Sequence, residues 1–187
     1  MKQNTKSSFN VAYCGIMCAL SILVMFTAII PSLTYVMPAV AGVIIWSVSI
    51  QVNRAWGFLT YAAAAILSLF LVPEVESRTF FILIFGYYPL LKEIIHSRIS
   101  GGIWAQMYRF LVKLAIFNTA AVLAYTAVVY VFGIKDVLDG LDRFGEYAIY
   151  VFWGMGNVAF LFYDFALKHV FYAFRHWIKP VIDKKIK

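Results

Sequence analysis

Six apolar stretches divide the chain, and each crosses or nearly crosses the hydrocarbon layer of a membrane when it is helical. They cover residues 9–30, 36–50, 55–72, 79–95, 110–132 and 147–172, of which the second and fourth are short. A spanning helix needs about 20 apolar residues, and inside lipid its backbone must satisfy its own hydrogen bonds. The stretches therefore predict an all-α, integral membrane bundle of about six transmembrane helices.

The composition leaves little of the chain for anything else. Hydrophobic residues make up 63% of the 187 residues and charged residues 13%, whereas soluble domains are roughly half apolar and about a quarter charged. Six spans use most of this length. We therefore expect a single transmembrane domain over residues 1–187 and no soluble catalytic domain.

The distribution of Lys and Arg predicts how the bundle is oriented. If the N-terminus is inside the cell, only Arg78, Lys135 and Arg143 of the sixteen basic residues lie on the outer side. Short cytoplasmic loops retain positive charge, so both termini are expected in the cytoplasm. The same scatter of basic residues forms no single cationic face, which argues against a nucleic-acid partner.

The outer loops are acidic, and two interpretations of them stay open. Glu74 and Glu76 follow the third span, and residues 133–146 carry several more carboxylates between apolar side chains. These are either ordinary solvated loops or a surface that gathers a cationic ligand. The pattern within 133–146 also favours a short amphipathic helix lying on or over the bundle.

Polar side chains at membrane depth are costly and usually face a cavity or a partner. Asn118 and Asn157 lie within the fifth and sixth spans, and each could instead bond a neighbouring helix. Aromatic rings around them could stack on a flat ligand, and Gly154 and Gly156 leave space. Pro89 frees a backbone carbonyl and predicts a kink in the fourth span. The predicted substrate-binding residues are Asn118, Asn157, Trp153, Tyr150, Tyr88, Tyr125 and Glu74.

Motifs for catalysis are absent from the sequence. It contains no phosphate-binding loop, no nucleophile elbow and no pair of histidines at metal-ligand spacing. Lys92 and Glu93, like Asp164 and Lys168, are interpreted as local ion pairs or interfacial anchors. The chain is therefore predicted not to be an enzyme and to hold no metal and no cofactor.

Small residues recur at helical spacing in three spans, where they allow close approach of helix backbones. The first span carries Ala12, Gly15 and Ala19 on one face. The third carries Gly57, Ala65 and Ser68 with Tyr61 on the same face, and the fifth carries Ala120, Ala124 and Ala127. Such faces either pack inside the bundle or dock on another membrane subunit. Gly15 and Ala19 favour docking, because they lie in the cytoplasmic half of the first span, which also carries the small residues Cys14 and Cys18.

The size, six spans, basic inner side and first-span stretch from Ala12 to Leu20 together resemble the S components of energy-coupling factor transporters. The turn at Pro31 and the helix start at Pro38 are also similar. In that family the first span docks through a small-x-x-x-small face, here Gly15 and Ala19 with Ala12 three residues before Gly15. The resemblance covers the whole chain.

The resemblance implies a prokaryotic plasma membrane and the substrate-binding subunit of an importer for a vitamin-like or other small solute. Its implied partners are the solute, membrane lipid, a transmembrane coupling subunit and two cytoplasmic ATPases that supply the energy. The alternative from the residues themselves is a membrane scaffold or assembly subunit without a ligand. A lipid-modifying membrane enzyme is disfavoured, because the ionisable residues are scattered.

Overall fold

The computed structural model describes residues 2–133, 145–174 and 176, with side chains from residue 7 onward. The fold is all-α, and no strand occurs among these residues. The helices are α1 (Lys2–Phe26), α2 (Val36–Gln51), α3 (Arg54–Leu71), α4 (Val75–Phe80), α5 (Tyr88–Arg98), α6 (Ile103–Thr126) and α7 (Ala148–Ala173), with π-helical segments at Phe81–Phe85 and Ala127–Val131.

Five helical stretches in the described part are long and apolar enough to cross a membrane, which makes this a multi-pass membrane protein. They are Ser7–Ile29, Arg54–Leu71, Val75–Arg98, Ile103–Val131 and Gly145–Ala173, and the shorter apolar helix Val36–Gln51 lies between the first two. The predicted spans are confirmed as helices to within a few residues at most ends.

Two of the predicted spans are shorter than the helices of the structure. The fourth span was expected over 79–95 but runs over Val75–Arg98, because the segment predicted as an acidic loop already forms a helical turn that contains Glu76 and Arg78. The fifth was expected to begin at residue 110 but begins at Ile103. In both cases the polar residues that suggested a loop belong to the end of a helix.

The chain divides into two compact units, Met1–Val128 and Val129–Lys187. In the first unit α1, α2 and α3 pack against one another, and α2 also contacts α4, α5 and the π segment at Phe81–Phe85. Helix α2 is therefore the centre of this unit. Ala41, Ile45, Trp46 and Val48 on α2 have no exposed surface, so this helix packs mainly on protein.

Helix α7 makes up most of the described part of the second unit. Phe160 and Leu167 on this helix are buried, whereas Tyr150, Phe162 and Phe165 are exposed. Most of the segment 133–146, where an amphipathic helix is predicted, lies outside the described residues. The basic tail at 179–187 lies wholly outside them.

Candidate functional site

The fourth span is interrupted at membrane depth. The Gly86 amide donates to the Phe81 carbonyl at 2.8 Å, a π-helical bond, and regular α-helix resumes at Tyr88 with Pro89 in its first turn. Proline has no amide hydrogen and its ring excludes the carbonyl four residues earlier, so the irregular turn lies directly before Pro89. The kink expected at Pro89 stays a prediction. The break begins about 9 Å along the helix from Val75.

Tyr61 on α3 contacts this irregular segment at two places. Its hydroxyl donates to the Ile82 carbonyl at 2.5 Å, and its ring lies edge-on to Tyr87 with centroids 5.9 Å apart. Gly86 makes this approach possible, because a Cβ atom there would lie 2.7 Å from the Tyr61 ring. One side chain therefore satisfies a carbonyl of the π-helical segment and packs on the ring that directly precedes α5.

Helix α2 packs against the irregular segment from another side. A Cβ atom at Gly42 would collide with the carbonyl group of Phe85, the carbonyl that Pro89 removes from helical bonding. Only glycine lets the α2 backbone come so close. Phe81, Ile84, Gly86 and Pro89 are buried as well, and irregular backbone at membrane depth is tolerated where protein covers it.

A polar cluster ties α2 to α5 further along the fourth span. The Trp46 indole nitrogen donates to a Glu93 carboxylate oxygen at 3.0 Å, and the Ser49 hydroxyl donates to the same oxygen at 3.4 Å. Glu93 thus links two helices, beyond the local role predicted for it. Its neighbour Lys92 is 6% exposed, whereas a snorkelling lysine keeps its ammonium group in water.

At the predicted outer end, Glu76 makes the cross-helix contact that the sequence did not indicate. The Tyr35 hydroxyl donates to a Glu76 carboxylate oxygen at 2.7 Å, and the Tyr35 ring lies edge-on to Phe80. Partial burial, the bond to Glu76 and the nearby Glu74 raise the pKa of Tyr35. Arg78 donates to the carbonyls of Leu69 and Val72 at the end of α3.

Three of the predicted substrate-binding residues share one face of α7. Tyr150, Trp153 and Asn157, with Ile149 and Gly154, line an open hollow of about 460 Å³. The Asn157 amide donates to the carbonyl of Trp153 at 2.9 Å. This face offers aromatic surface and an amide oxygen in a setting that is otherwise apolar.

The other predicted substrate-binding residues belong to the first unit. Tyr88 is 2% exposed, whereas Asn118, Tyr125 and Glu74 are half-buried. The Asn118 amide donates to the Leu114 carbonyl at 2.9 Å, the same bond within one helix that Asn157 makes. That these residues and the α7 face form one binding site stays a prediction, because the two groups lie in different compact units.

The three small-residue faces differ in exposure. Gly57, Ala65 and Ser68 on α3 are buried, as are Ala120 and Ala124 on α6. On α1 the buried face instead carries Cys14, Cys18, Ile22 and Met25.

The small residues of the first span lie on its exposed side. Ala12, Gly15 and Ala19 are exposed, and a Cβ atom at Gly15 would meet nothing within 4 Å.

Sequence reasoning missed Gly42, Trp46 and the hydroxyl of Tyr61 as contacts that hold the first unit together. A buried indole or phenol in an apolar span needs a hydrogen-bond acceptor, and this need was the available signal. Among the described residues no group of three or more metal-ligating side chains comes together. His169 and His176 instead contact the aromatic rings of Phe165 and Tyr172.

No protein-family model, no curated protein and no solved structure matches the chain in sequence or fold.

Proposed function

We infer that the chain is the solute-binding membrane subunit of an importer of the energy-coupling factor type. It takes up a vitamin-like or other small solute, performs no catalysis, and depends on a coupling subunit and two ATPases for energy. The membrane is the plasma membrane of a prokaryote. Helix α7 supplies ligand-facing residues Tyr150, Trp153 and Asn157, and α1 supplies the docking face.

The observation that carries the proposal is the exposure of the small-residue face on α1. Small residues that pack inside a bundle become buried, as Gly57 and Ala65 on α3 do. Gly15 and Ala19 remain exposed, with open space beside Gly15. Because this face carries only small side chains, a helix from another subunit can approach it closely.

Co-purification from the native host tests the proposal. The tagged chain should bring down one further membrane protein and two ATPases, and Gly15→Leu or Ala19→Leu should abolish this association and solute uptake. Ala62→Leu and Ala63→Leu are matched controls, since both alanines are exposed on another span. Full assembly and uptake by the Gly15→Leu and Ala19→Leu variants would count against a docking role for α1.

A scaffold subunit without a ligand is the second candidate, and the two asparagines favour it. Asn118 and Asn157 each donate to the carbonyl of the residue four positions earlier, and such a bond lowers the cost of an amide in lipid without any ligand. Co-purified solute distinguishes the candidates. A scaffold would bring down its partners but no small molecule, and Asn157→Ala would alter only its stability.

A further inference from the structure

The connection between α5 and α6 lies at one surface of the membrane. It covers residues 99–102 and joins two stretches that are each long and apolar enough to span, Val75–Arg98 and Ile103–Val131. A short connection between two spanning helices lies at the level of the lipid headgroups. Exposed side chains at this connection therefore meet headgroups, and exposed side chains in the following turns of α6 meet acyl chains.

The positive charge at this connection has no carboxylates near it in the sequence. No Asp or Glu occurs between Glu93 and Asp136, and the Glu93 carboxylate accepts from two donors on α2. Arg98, the last residue of α5, is exposed. Basic side chains at a membrane surface attract anionic lipids.

A second arginine is held at the same place. Arg109 belongs to the second turn of α6, and its Nη1 donates to the Ile99 carbonyl at 3.2 Å. Ile99 directly follows Arg98, so this bond brings the Arg109 guanidinium group to the end of α5. A guanidinium group has five N–H donors in a planar fork that matches phosphate oxygens, and the bond to Ile99 uses one of its three nitrogens. The other donors of Arg109 therefore suit a phosphate group at this connection.

Exposed aromatic and aliphatic side chains continue this surface along α6. Trp104 is 81% exposed and Tyr108 is 59% exposed, and the two lie one turn apart on the same side of the helix. Leu111, seven residues after Trp104, is exposed as well, and it lies about 10 Å further along the helix. Trp and Tyr rings favour the boundary between headgroups and acyl chains. The face therefore offers rings at headgroup depth and aliphatic surface below them.

The opposite end of the fourth span has a different charge pattern. It carries Glu74 and Glu76, and Arg78 donates to two carbonyls at the end of α3. Carboxylates repel an anionic headgroup. Of the two ends of this span, only the one at residues 99–102 is therefore complementary to negative charge.

We propose that Arg98, Arg109 and Trp104 form a binding site for an anionic phospholipid at the connection between α5 and α6. The two arginines bind the phosphate of the headgroup, and the acyl chains lie along the exposed face that carries Tyr108 and Leu111. This site belongs to the first unit and does not depend on the proposed importer function.

Native mass spectrometry of the full chain in detergent tests the proposal. The protein is titrated with dioleoyl phosphatidylglycerol or with dioleoyl phosphatidylcholine, which carry the same acyl chains and differ in net charge. The variants are Arg98→Gln and Arg109→Gln. Arg54→Gln is the matched control, because it removes an exposed arginine from another connection, the one between α2 and α3.

The parent should bind phosphatidylglycerol at least about 10-fold more tightly than phosphatidylcholine. Arg98→Gln and Arg109→Gln should each weaken phosphatidylglycerol binding about 5-fold, and Arg54→Gln should not change it. Arg98→Gln decides the matter if Arg109→Gln, which also loses the bond to Ile99, does not fold. Inorganic phosphate at the same concentration should not displace the lipid, because it lacks acyl chains.

Three results would overturn this lipid site. They are equal affinities of the parent for the two lipids, equal losses in Arg98→Gln and Arg54→Gln, and displacement of phosphatidylglycerol by an equal concentration of inorganic phosphate.

Discussion

The carbonyl group of Phe85 lies where a Cβ atom of residue 42 would stand. This contact joins the centre of α2 to the break in the fourth span, and it exists because residue 42 is glycine. The Phe85 carbonyl is also the one that Pro89 removes from helical bonding, so a local feature of the sequence coincides with a close helix contact.

We expect Gly42→Ala to destabilise the protein by about 1–3 kcal/mol, because the added methyl group must push the two backbones apart. Thermal or denaturant unfolding in detergent measures this loss. Gly15→Ala is the control and should not lower stability, since the space beside Gly15 is open and alanine is the better helix former. Equal stabilities of the two variants would contradict the packing described for Gly42.

Replacing Glu93 by leucine should cost about 1–3 kcal/mol of stability, because the buried indole N–H of Trp46 loses its acceptor. Glu93→Gln keeps an acceptor oxygen and should cost less. Unfolding of the two variants side by side measures the difference. If Trp46→Phe removes the excess loss in Glu93→Leu, the two residues are coupled, and independent losses would exclude the link.

The stability that Tyr35 contributes to the fold should decrease at alkaline pH. The pKa of Tyr35 is raised in the folded state, so the unfolded chain loses this proton first, and stability falls as pH rises above about 10. The fall is at most about 1.4 kcal/mol per pH unit. The unfolding free energy of the wild type minus that of Tyr35→Phe, followed from pH 8 to 11, should decline, and a flat difference would contradict it.

The charge asymmetry predicts that both termini face the cytoplasm and that residues 133–146 face outward. Cysteine substitutions at the two ends and within this loop, treated with a membrane-impermeant thiol reagent on intact cells, check the prediction. Only the loop position should react before the cells are opened. Early reaction at the C-terminal tail would reverse the orientation.

If the hollow on α7 binds the solute, Asn157→Ala and Trp153→Ala should each weaken binding by roughly 1–3 kcal/mol, about a tenfold to hundredfold loss. Affinity for the co-purified solute and melting temperature are measured together, with Asn118→Ala in the same series. Phe162→Ala, on another exposed face of α7, is the control. Lower melting temperatures with unchanged affinity across the series would leave the scaffold candidate as the better one.

The sequence alone determined that the chain is a bundle of membrane-spanning helices, and it indicated an irregularity in the fourth helix near Pro89. Both features are local: hydropathy over about 20 residues indicates a span, and the missing amide hydrogen of proline acts on its own turn.

The tertiary structure decided which faces meet. In soluble helices the apolar face marks the core, but in lipid the core-facing and lipid-facing residues are both apolar, so periodicity carries little information on rotation. The exposed side of α1, the bond from Tyr61 to Ile82 and the link between Trp46 and Glu93 therefore became visible only once the helices were packed. The same cause explains why Glu76, and not Glu74, contacts Tyr35: the rotation of α4 is set by its neighbours.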